Sequence, residues 1–426
     1  MPKELLGYYW DEEKKRYFPN SMKPKLPMLH VPEETQGDEP SRKRRRIEGG
    51  IPTFSALQKL RTSYGSSSRR RSALHDIFAS SLSLTCGGAA YPVVSAGHIT
   101  SICAEDASSY DPERRSVTLG DSSGWLYSIR NADPDRPPKS HVELNIGSSV
   151  SAICSWGTRR VATSFGWPCK IFIRDIAPVE RWTILSMPEV MCHDVSTAAL
   201  EDRTMALGAG GRCVVVPDLE VHTGLLDFYT GSDVLGIAMD RHLIYVGSRS
   251  GFVQRFDTRV PKKEHCTILN HRFWRSPNSI THLSLIHQNA LLVGTIRGDL
   301  ETHDIRFLRD SDPLLRLSGH VNACMTKLGL AIDPSEDFVF AAGQDQRIRG
   351  WSLRTGKRLP AQPVNSRAAV SDWHDAPAEK TRLFDVLFDA PVAAMQVARG
   401  DEGLCLWAAC GGDVYRMSLC NSSVVG

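Results

Sequence analysis

Two glycine-rich stretches and the histidines are the first places to look for catalytic chemistry, but their spacing does not support it. Gly208-Ala209-Gly210-Gly211 has the glycines of a dinucleotide-binding loop, yet a strand is predicted directly after it where that loop requires a helix. Gly350–Lys357 places Gly-Lys after five intervening residues instead of the four of a phosphate-binding loop. The 14 histidines form no pair at the spacing of metal ligands on a helix. We therefore expect no catalytic residue, no metal site and no cofactor.

A repeated Asp-x-Arg sequence indicates recognition of a partner instead. Phe256-Asp257-Thr258-Arg259 and His303-Asp304-Ile305-Arg306 lie 47 residues apart, each at the predicted end of a strand. A third copy, Asp345-Gln346-Arg347, falls in a predicted turn. The tripeptide is no more frequent than chance, so the shared strand-end position is the informative feature. Two arginines at the same position of adjacent structural repeats would lie side by side on one rim.

The elements that position these residues are short β-hairpins that recur along the chain. Each hairpin is an apolar, β-branched strand, a turn rich in Gly, Asp or Ser, and a second alternating strand. The intervals between hairpins are 39 to 49 residues, followed by a last interval of 68. The seven strand pairs are 117–120 with 125–129, 161–164 with 170–173, 205–208 with 213–216, 243–247 with 252–256, 291–294 with 299–303, 338–343 with 348–353 and 405–411 with 414–417.

This period predicts an all-β fold, a WD-repeat-like β-propeller of about seven blades over residues 91–426. Stacking the four-stranded sheets in a ring covers both faces of each sheet and protects the edges. Residues 361–389, rich in Pro, Ala and charge, are interpreted as an inserted loop. The seventh blade lacks a fourth strand, so Ser81–Thr85 or Tyr91–Ser95 is predicted to supply it.

Only the sixth copy carries the fuller WD-repeat signature. Gly319-His320 precedes it, Gln344-Asp345 forms its turn, and Trp351 ends its third strand. The resemblance implies that His320, Asp345 and Trp351 form a hydrogen-bond chain that locks the blade.

The charge of the chain is concentrated in the region before the ring. Residues 1–75 contain 16 Lys and Arg against 9 Asp and Glu, whereas the whole chain has a net charge of +3. Arg42, Lys43, Arg44, Arg45 and Arg46 form an uninterrupted basic run, extended by a second cluster at 69–71. The run predicts a nuclear import signal, with a nucleic-acid patch or a merely solvated charge run as alternatives. Residues 19–72 offer too little apolar surface for a core, so residues 1–90 are predicted to be mostly disordered.

One segment of this region has the pattern of a short amphipathic helix. Leu74, Ile77, Phe78 and Leu82 lie at helical spacing after Ser72. A helix of about ten residues is marginal alone in water and must dock, either on its own ring or in a groove of a partner. The sequence slightly favours the ring, and the four apolar residues are candidates for docking on a partner.

The expected environment is reducing and without a membrane. No apolar run is long enough to span a bilayer, and Met1–Trp10 does not have the pattern of a secretory signal. The 11 cysteines are scattered without Cys-x-x-Cys, which favours neither a disulfide framework nor a zinc site. We expect the protein in the nucleus, with the cytoplasm as a second location.

The doubled Asp-x-Arg resembles the box of WD-repeat substrate receptors of the cullin-4 RING ubiquitin ligase. In that family the box reads W-D-x-R, and its arginine docks on the ligase's damaged-DNA-binding adaptor protein. The resemblance implies that Asp257, Arg259, Asp304 and Arg306 face the adaptor, the aspartates holding the turns. The tryptophan of the box is replaced by Phe256 and His303.

The aromatic segment Gly7–Phe18 and the sixth repeat narrow the resemblance to one member of the family. These matches cover about 55 residues at opposite ends of the chain. The aromatic segment is interpreted either as a strand that packs on the ring or as a peptide that contacts a partner.

Three functions follow from these observations. The leading hypothesis is a non-catalytic substrate receptor that bridges the adaptor to an unidentified substrate protein. The alternative is a nuclear WD-repeat scaffold in ribosome or chromatin assembly, with weak nucleic-acid binding through the basic run. An enzymatic propeller is the third class, and it would require a perturbed carboxylate cluster or a metal in the central channel.

Overall fold

The computed structural model describes most of the chain from residue 88 onward and a few residues before it. The described residues are 8–11, 16–19, 72, 75–76, 78–80, 82, 88–105, 116–130, 140–176, 181–188, 192–221, 224–260, 266–270, 278–307, 312–322, 327–359, 383–400 and 403–419. The basic run 42–46, Leu74, Ile77 and all but the two end residues of the predicted disordered region 19–72 fall outside them, so these predictions stay untested. The chain divides into two compact units, Met1–Gly50 and Ile51–Gly426.

The first unit contains one antiparallel hairpin. Strand β1 (Tyr8–Asp11) pairs with β2 (Arg16–Pro19), with Tyr8 opposite Pro19 and Asp11 opposite Arg16. The aromatic segment therefore forms a two-stranded sheet, because two runs of aromatic residues, which favour strands, flank a charged spacer.

The second unit is a seven-bladed β-propeller, as predicted. All its sheets are antiparallel, and in blades 1 to 6 the strands lie in chain order from the centre of the ring outward. Strand β3 (Gly88–Pro92) precedes blade 1 in the chain. The strands of the first three blades are β4 (Ile99–Ala104), β5 (Ser116–Asp121), β6 (Trp125–Arg130) and β7 (Ser140–Asn145) in blade 1; β8 (Val150–Trp156), β9 (Arg159–Ser164), β10 (Lys170–Asp175) and β11 (Arg181–Ser186) in blade 2; and β12 (Thr197–Glu201), β13 (Thr204–Ala209), β14 (Arg212–Val216) and β15 (Leu226–Tyr229) in blade 3.

The remaining four blades continue the same plan. Their strands are β16 (Val234–Asp240), β17 (Leu243–Ser248), β18 (Phe252–Asp257) and β19 (Cys266–Asn270) in blade 4; β20 (Ile280–Ile286), β21 (Ala290–Thr295), β22 (Leu300–Asp304) and β23 (Leu315–Arg316) in blade 5; β24 (Leu330–Ile332), β25 (Phe338–Ala342) and β26 (Ile348–Ser352) in blade 6; and β27 (Val392–Gly400), β28 (Gly403–Cys410) and β29 (Asp413–Ser418) in blade 7. All seven predicted hairpins are the second and third strands of these blades.

The second strand of each blade is buried on both faces, because a neighbouring blade covers each side. In β17 and β21 every residue after the first is buried, which explains the apolar runs without polar alternation. Gly208 and Gly247 sit at these contacts: a Cβ on Gly247 would lie 2.5 Å from Ile280 Cγ2, and one on Gly208 2.6 Å from Val234 Cγ1. These glycines therefore lie within strands, where they permit close packing of the next blade.

The ring is closed by a strand from the N-terminal side, as predicted, but its position differs from both candidates. β3 is the outermost strand of blade 7 and pairs with β29, Tyr91 opposite Val414. It overlaps the candidate Tyr91–Ser95 in two residues and excludes Ser81–Thr85 as the closing strand. The predicted boundary between residues 90 and 91 is therefore wrong, since it cuts a strand that belongs to the ring.

Among the described residues, blade 6 has three strands, and Arg358 forms an isolated bridge with Trp351 at the outer edge. Residues 360–382 fall outside the described part of the inserted loop, but Leu383–Asp385 forms a 3-10 turn, and Leu383, Phe384, Val386 and Phe388 are buried. They pack with Phe340, Ile348 and Tyr415 in one apolar cluster. The loop predicted over 361–389 therefore ends earlier, because its last residues carry apolar side chains that complete the core.

The predicted hydrogen-bond chain in blade 6 is wrong. The two ring nitrogens of His320 lie 3.1 and 2.9 Å from the main-chain oxygens of Gly298 and Ala342, and Trp351 Nε1 donates to Ser318 O at 2.8 Å. Asp345 instead accepts a two-pronged bond from Arg349, four residues along the same hairpin. The guanidinium, a charged two-pronged donor on the same hairpin, binds this carboxylate, while the imidazole contacts main-chain oxygens. His320 and Trp351 still contact each other edge to face at 6.1 Å.

Candidate functional site: an arginine-bearing rim

The two Asp-x-Arg sequences occupy identical positions in adjacent blades. Asp257 ends β18 opposite Leu243, and Asp304 ends β22 opposite Ala290. In each blade the following residue donates its main-chain N–H back to the turn between the first and second strands, at 2.9 Å to His242 O and 3.0 Å to Asn289 O. The prediction that both sequences end the third strand, on the same rim, agrees with this geometry.

The side chains of the two pairs also adopt the same arrangement. Arg259 Nε donates to Asp257 Oδ1 at 2.9 Å and its Nη2 donates to Oδ2 at 2.7 Å, and the Arg306–Asp304 distances are the same. Each aspartate also accepts the main-chain N–H of its own arginine, at 3.0 and 2.9 Å. One carboxylate thus fixes both the turn and the direction of the guanidinium.

Both ionic groups of each pair are charged over the whole physiological pH range. Hydrogen bonds from Arg259 hold the pKa of Asp257 well below its usual range, and those from Arg306 lower the pKa of Asp304 to about 2. The carboxylates in turn raise the pKa of each arginine. The arginine side chains remain 63 % and 57 % exposed, so the Nη1 groups, which bond to no described residue, face solvent.

The residues at the tryptophan position of the box serve the core. Phe256 is buried and packs against Phe228 with the ring centres 4.9 Å apart, and His303 is also buried. A large exposed apolar side chain lies beside the second pair: Phe307, the residue after Arg306, is 70 % exposed, and the Arg306 guanidinium lies 5.6 Å from its ring centre.

Other blades use the same position differently. Asp345-Gln346-Arg347 lies in the turn between the second and third strands of blade 6, and so on the opposite rim. In blade 6 the equivalent of Asp257 is Ser352, and the equivalent of Arg259 is Arg354, since Leu353 N donates to Asp337 O at 2.8 Å as Thr258 N does to His242 O.

Sequence reasoning missed Arg354. It forms a two-pronged bond with Asp337, from the preceding strand turn, and its side chain is 41 % exposed. Its spacing of 48 residues from Arg306 continues the 47-residue interval and could have revealed it. The serine at the aspartate position hid the repeat.

The amphipathic segment docks on its own ring beside this residue. The helical residues 75–76, 78–80 and 82 pack on blade 6: His75 Nε2 lies 2.8 Å from Ser352 Oγ, and the His75 ring stacks on Phe338 at 4.6 Å. Leu82 is 1 % exposed within the cluster that joins blades 6 and 7, and Phe78 packs against it. Docking of Leu82 on a partner is therefore excluded in this arrangement, because the side chain is already inside the ring.

The central channel is lined by the first strands of the blades, and it contains two basic groups whose pKa values are lowered. Burial lowers the pKa of His282 on β20 to about 3 and that of Lys327 to about 8. Lys327 Nζ, just before β24 of blade 6, donates to Leu235 O of blade 4, two blades away, at 3.3 Å. Among the described residues, no three His, Cys, Asp or Glu side chains are placed to hold one metal ion. No helix within the described ranges is long and apolar enough to cross a membrane.

Comparisons with known proteins agree with the fold. No family model matches the chain. An uncharacterized WD repeat-containing protein of Caenorhabditis elegans, F47D12.9, is 28 % identical over 155 residues, which cover 34 % of this chain and 28 % of the relative. The human DDB1- and CUL4-associated factor 4-like protein 2 is 30 % identical over 151 residues, 34 % of this chain and 36 % of the relative. The match thus spans about a third of each relative's length.

A solved structure resembles almost the whole ring. The WD40 β-propeller domain of Doa1 superimposes with a TM-score of 0.54 at 10 % identity, covering 78 % of this chain and 97 % of that domain. At this identity the likeness concerns the fold alone. The second unit of the chain is a seven-bladed WD40 β-propeller.

Proposed function

We propose that this protein is a non-catalytic interaction scaffold, and specifically a substrate receptor that bridges the damaged-DNA-binding adaptor protein of the cullin-4 ubiquitin ligase to a target protein. The observation that carries the proposal is the identical Asp–Arg geometry at the ends of β18 and β22. Repetition of a solvent-facing arrangement in two adjacent blades is not needed for folding, because both arginines lie outside the core.

The geometry suits a binding surface. A guanidinium that is held in one direction by its own aspartate loses little conformational entropy when a partner binds. Arginine beside an exposed aromatic residue, here Arg306 and Phe307, is the composition that dominates the energy of protein interfaces.

The human relative supports the same partner. The name of the human relative describes an association with DDB1 and CUL4, and this chain matches about a third of that protein. The narrower resemblance, to the adaptor-associated factor numbered four, rests on the aromatic segment and the sixth repeat and stays a proposal.

The substrate protein would bind on the opposite rim, which the adaptor leaves open. Phe165 and Trp167, in the turn between the second and third strands of blade 2, are 43 % and 61 % exposed there. Large exposed aromatic side chains that do not contribute to a core are typical of partner-binding surfaces. The identity of the substrate does not follow from them.

The basic run at 42–46 supports a nuclear location for this complex. The alternative function, a nuclear scaffold in ribosome or chromatin assembly, assigns the same run to nucleic acid. Binding to RNA or DNA that weakens steeply with salt and disappears when residues 42–46 and 69–71 are neutralised would favour that alternative.

Co-purification tests the leading proposal. The adaptor should be recovered with the wild type and lost with an Arg259→Ala, Arg306→Ala double variant. Arg249→Ala is the matched control, because Arg249 is equally exposed and pairs with Asp233 at 3.2 Å on the opposite rim of blade 4. Undiminished recovery of the adaptor with the double variant would exclude the assigned rim.

A further inference from the structure

We infer that the partner-binding rim spans three blades, with Arg354 of blade 6 as its third contact residue. The inference rests on the proposed function and extends it beyond the doubled Asp-x-Arg sequence. Arg259, Arg306 and Arg354 are the second residues after the last residue of β18, β22 and β26. The same main-chain bond to the preceding turn fixes all three positions, at 2.9, 3.0 and 2.8 Å.

The serine in blade 6 keeps one of the two roles of the aspartate. Ser352 Oγ accepts the main-chain N–H of Arg354 at 3.3 Å and that of Thr355 at 3.1 Å, so it holds the turn as Asp257 does in blade 4. A hydroxyl cannot bind a guanidinium with two acceptors, and this second role passes to Asp337. The arginine is therefore held outward by a carboxylate in all three blades.

The docked segment marks the end of this arc. His75 contacts Ser352 Oγ, and Phe78 lies 5.5 Å from Phe338, so helical residues cover the far side of blade 6. Because Ser352 contacts both His75 and the turn that carries Arg354, the segment buttresses the third arginine. The open rim runs from Arg259 through Arg306 and Phe307 to Arg354.

The occupant that fits this arc is a rigid protein surface that presents oxygen acceptors, carboxylates or main-chain carbonyls. Each arginine already faces one aspartate, so the arc carries no excess positive charge for a phosphate backbone. The three Nη1 groups remain as directed donors, and Phe307 supplies an apolar anchor among them. A rigid partner that binds Arg259 of blade 4 and Arg306 of blade 5 would also reach Arg354 of blade 6 without changing its shape.

Affinity measurement with the purified adaptor protein and the full chain tests the inference. Arg354→Ala should weaken binding about 5- to 10-fold, comparable with Arg259→Ala alone, while Arg249→Ala changes it less than about 2-fold. The melting temperature should stay within about 1 °C, because the Arg354 side chain lies outside the core. Arg354→Lys, which keeps the charge but not the two-pronged bond, should lie between wild type and Arg354→Ala.

A photo-crosslinking residue in place of exposed Thr355 provides a readout that does not depend on loss of binding. It should crosslink to the adaptor, and the same residue in place of Tyr229, exposed at the opposite rim, should not. Wild-type affinity of Arg354→Ala together with no crosslink at position 355, while the Arg259→Ala, Arg306→Ala double variant loses the adaptor, would overturn the third contact and leave the proposed function standing. Full affinity in all of these variants would overturn both.

Discussion

Blades 2 and 4 both have an aspartate at the end of the third strand, but the two aspartates bind arginines from different parts of the blade. Asp175 is opposite Arg159 in the sheet, and this arginine reaches across to bind it, at 2.8 Å from Nε to Oδ1. Arg159 also pairs with Glu220 of blade 3 and is only 14 % exposed. Asp257 is opposite Leu243, so it binds the arginine of its own turn instead.

The position of the nearest arginine differs between the two blades: blade 2 has it across the sheet and has Ala177 at the position of Arg259, whereas blade 4 has it in the turn. Where the opposite position is arginine, the ion pair becomes an internal brace between two blades. Where it is Leu243 or Ala290, the carboxylate binds the turn arginine, which then projects to solvent. One backbone position therefore serves either stability or recognition.

The largest expected difference is in binding of the adaptor. The Arg259→Ala, Arg306→Ala double variant should lose about 100-fold or more in affinity, because two directed charged donors are removed from one interface. Its melting temperature should match the wild type, since neither side chain is in the core. Titration calorimetry and thermal unfolding of the same preparations measure both values. A lowered melting temperature would show that the rim arginines also brace the fold.

Arg159→Ala should have the opposite profile. Removing the partner of half-buried Asp175 and of Glu220 should destabilise the ring by about 1–2 kcal/mol and lower the melting temperature by about 2–5 °C. Affinity for the adaptor should not change. Arg203→Ala, which removes an exposed contact to Glu220, is the control and should change stability by less than about 0.5 kcal/mol. Equal stability of the two variants would mean that blade 2 is not braced.

A substitution in blade 5 can convert the outward arrangement into the internal one. Ala290→Arg places an arginine opposite Asp304, as Arg159 is opposite Asp175, and it should compete with Arg306 for the carboxylate. We expect adaptor affinity to fall about 3- to 10-fold, because Arg306 loses its fixed direction. Ala290→Leu, which reproduces the residue of blade 4, should bind normally. Equal binding of both variants would show that the opposite residue does not direct the arginine.

The smallest effect on adaptor affinity is expected from a change of pH. A carboxyl whose pKa is lowered on folding stabilises the folded state above its unfolded pKa and loses this contribution only as the pH falls through the lower value. With the pKa of Asp304 at about 2 and that of Asp257 also lowered, both pairs stay ionised at mildly acidic pH. Adaptor affinity measured between about pH 8 and pH 5 should change less than about 2-fold from this source. A steep loss near pH 6 would point to a histidine at the interface.

Much of the ring could be predicted from the sequence because each hairpin carries its own pattern. The second strands are apolar runs, several with a glycine where the next blade packs, as at Gly247, and this local pattern predicted the seven hairpins. The closing strand β3, Gly-Ala-Ala-Tyr-Pro, has almost no intrinsic strand preference. The geometry of the closed ring, which presents the open edge of β29 to it, determines that it forms a strand.

The site could be predicted in part for a similar reason. Arg259 and Arg306 stood out because both residues of each pair lie in one turn, three residues long. The pairing of Arg354 with Asp337, and that of Asp345 with Arg349, depends on which side chains meet in space, and no short motif encodes it. The amphipathic pattern of the segment at 75–82 could be recognised in the sequence, but its contact with Ser352 could not be predicted.

The pairing of β3 with β29 also sets when the protein can become complete. Tyr91 and Val414 are separated by almost the whole length of the ring in sequence, so a nascent chain on the ribosome holds β3 without its partner until the last blade emerges. During that interval blade 7 is missing, and apolar faces of blades 1 and 6 stand open to solvent. Biogenesis of this protein should therefore depend on chaperones that shield an unclosed ring. In crowded conditions, the free β3 of one chain could close another copy, which makes exchange of this strand the natural route to misassembled dimers.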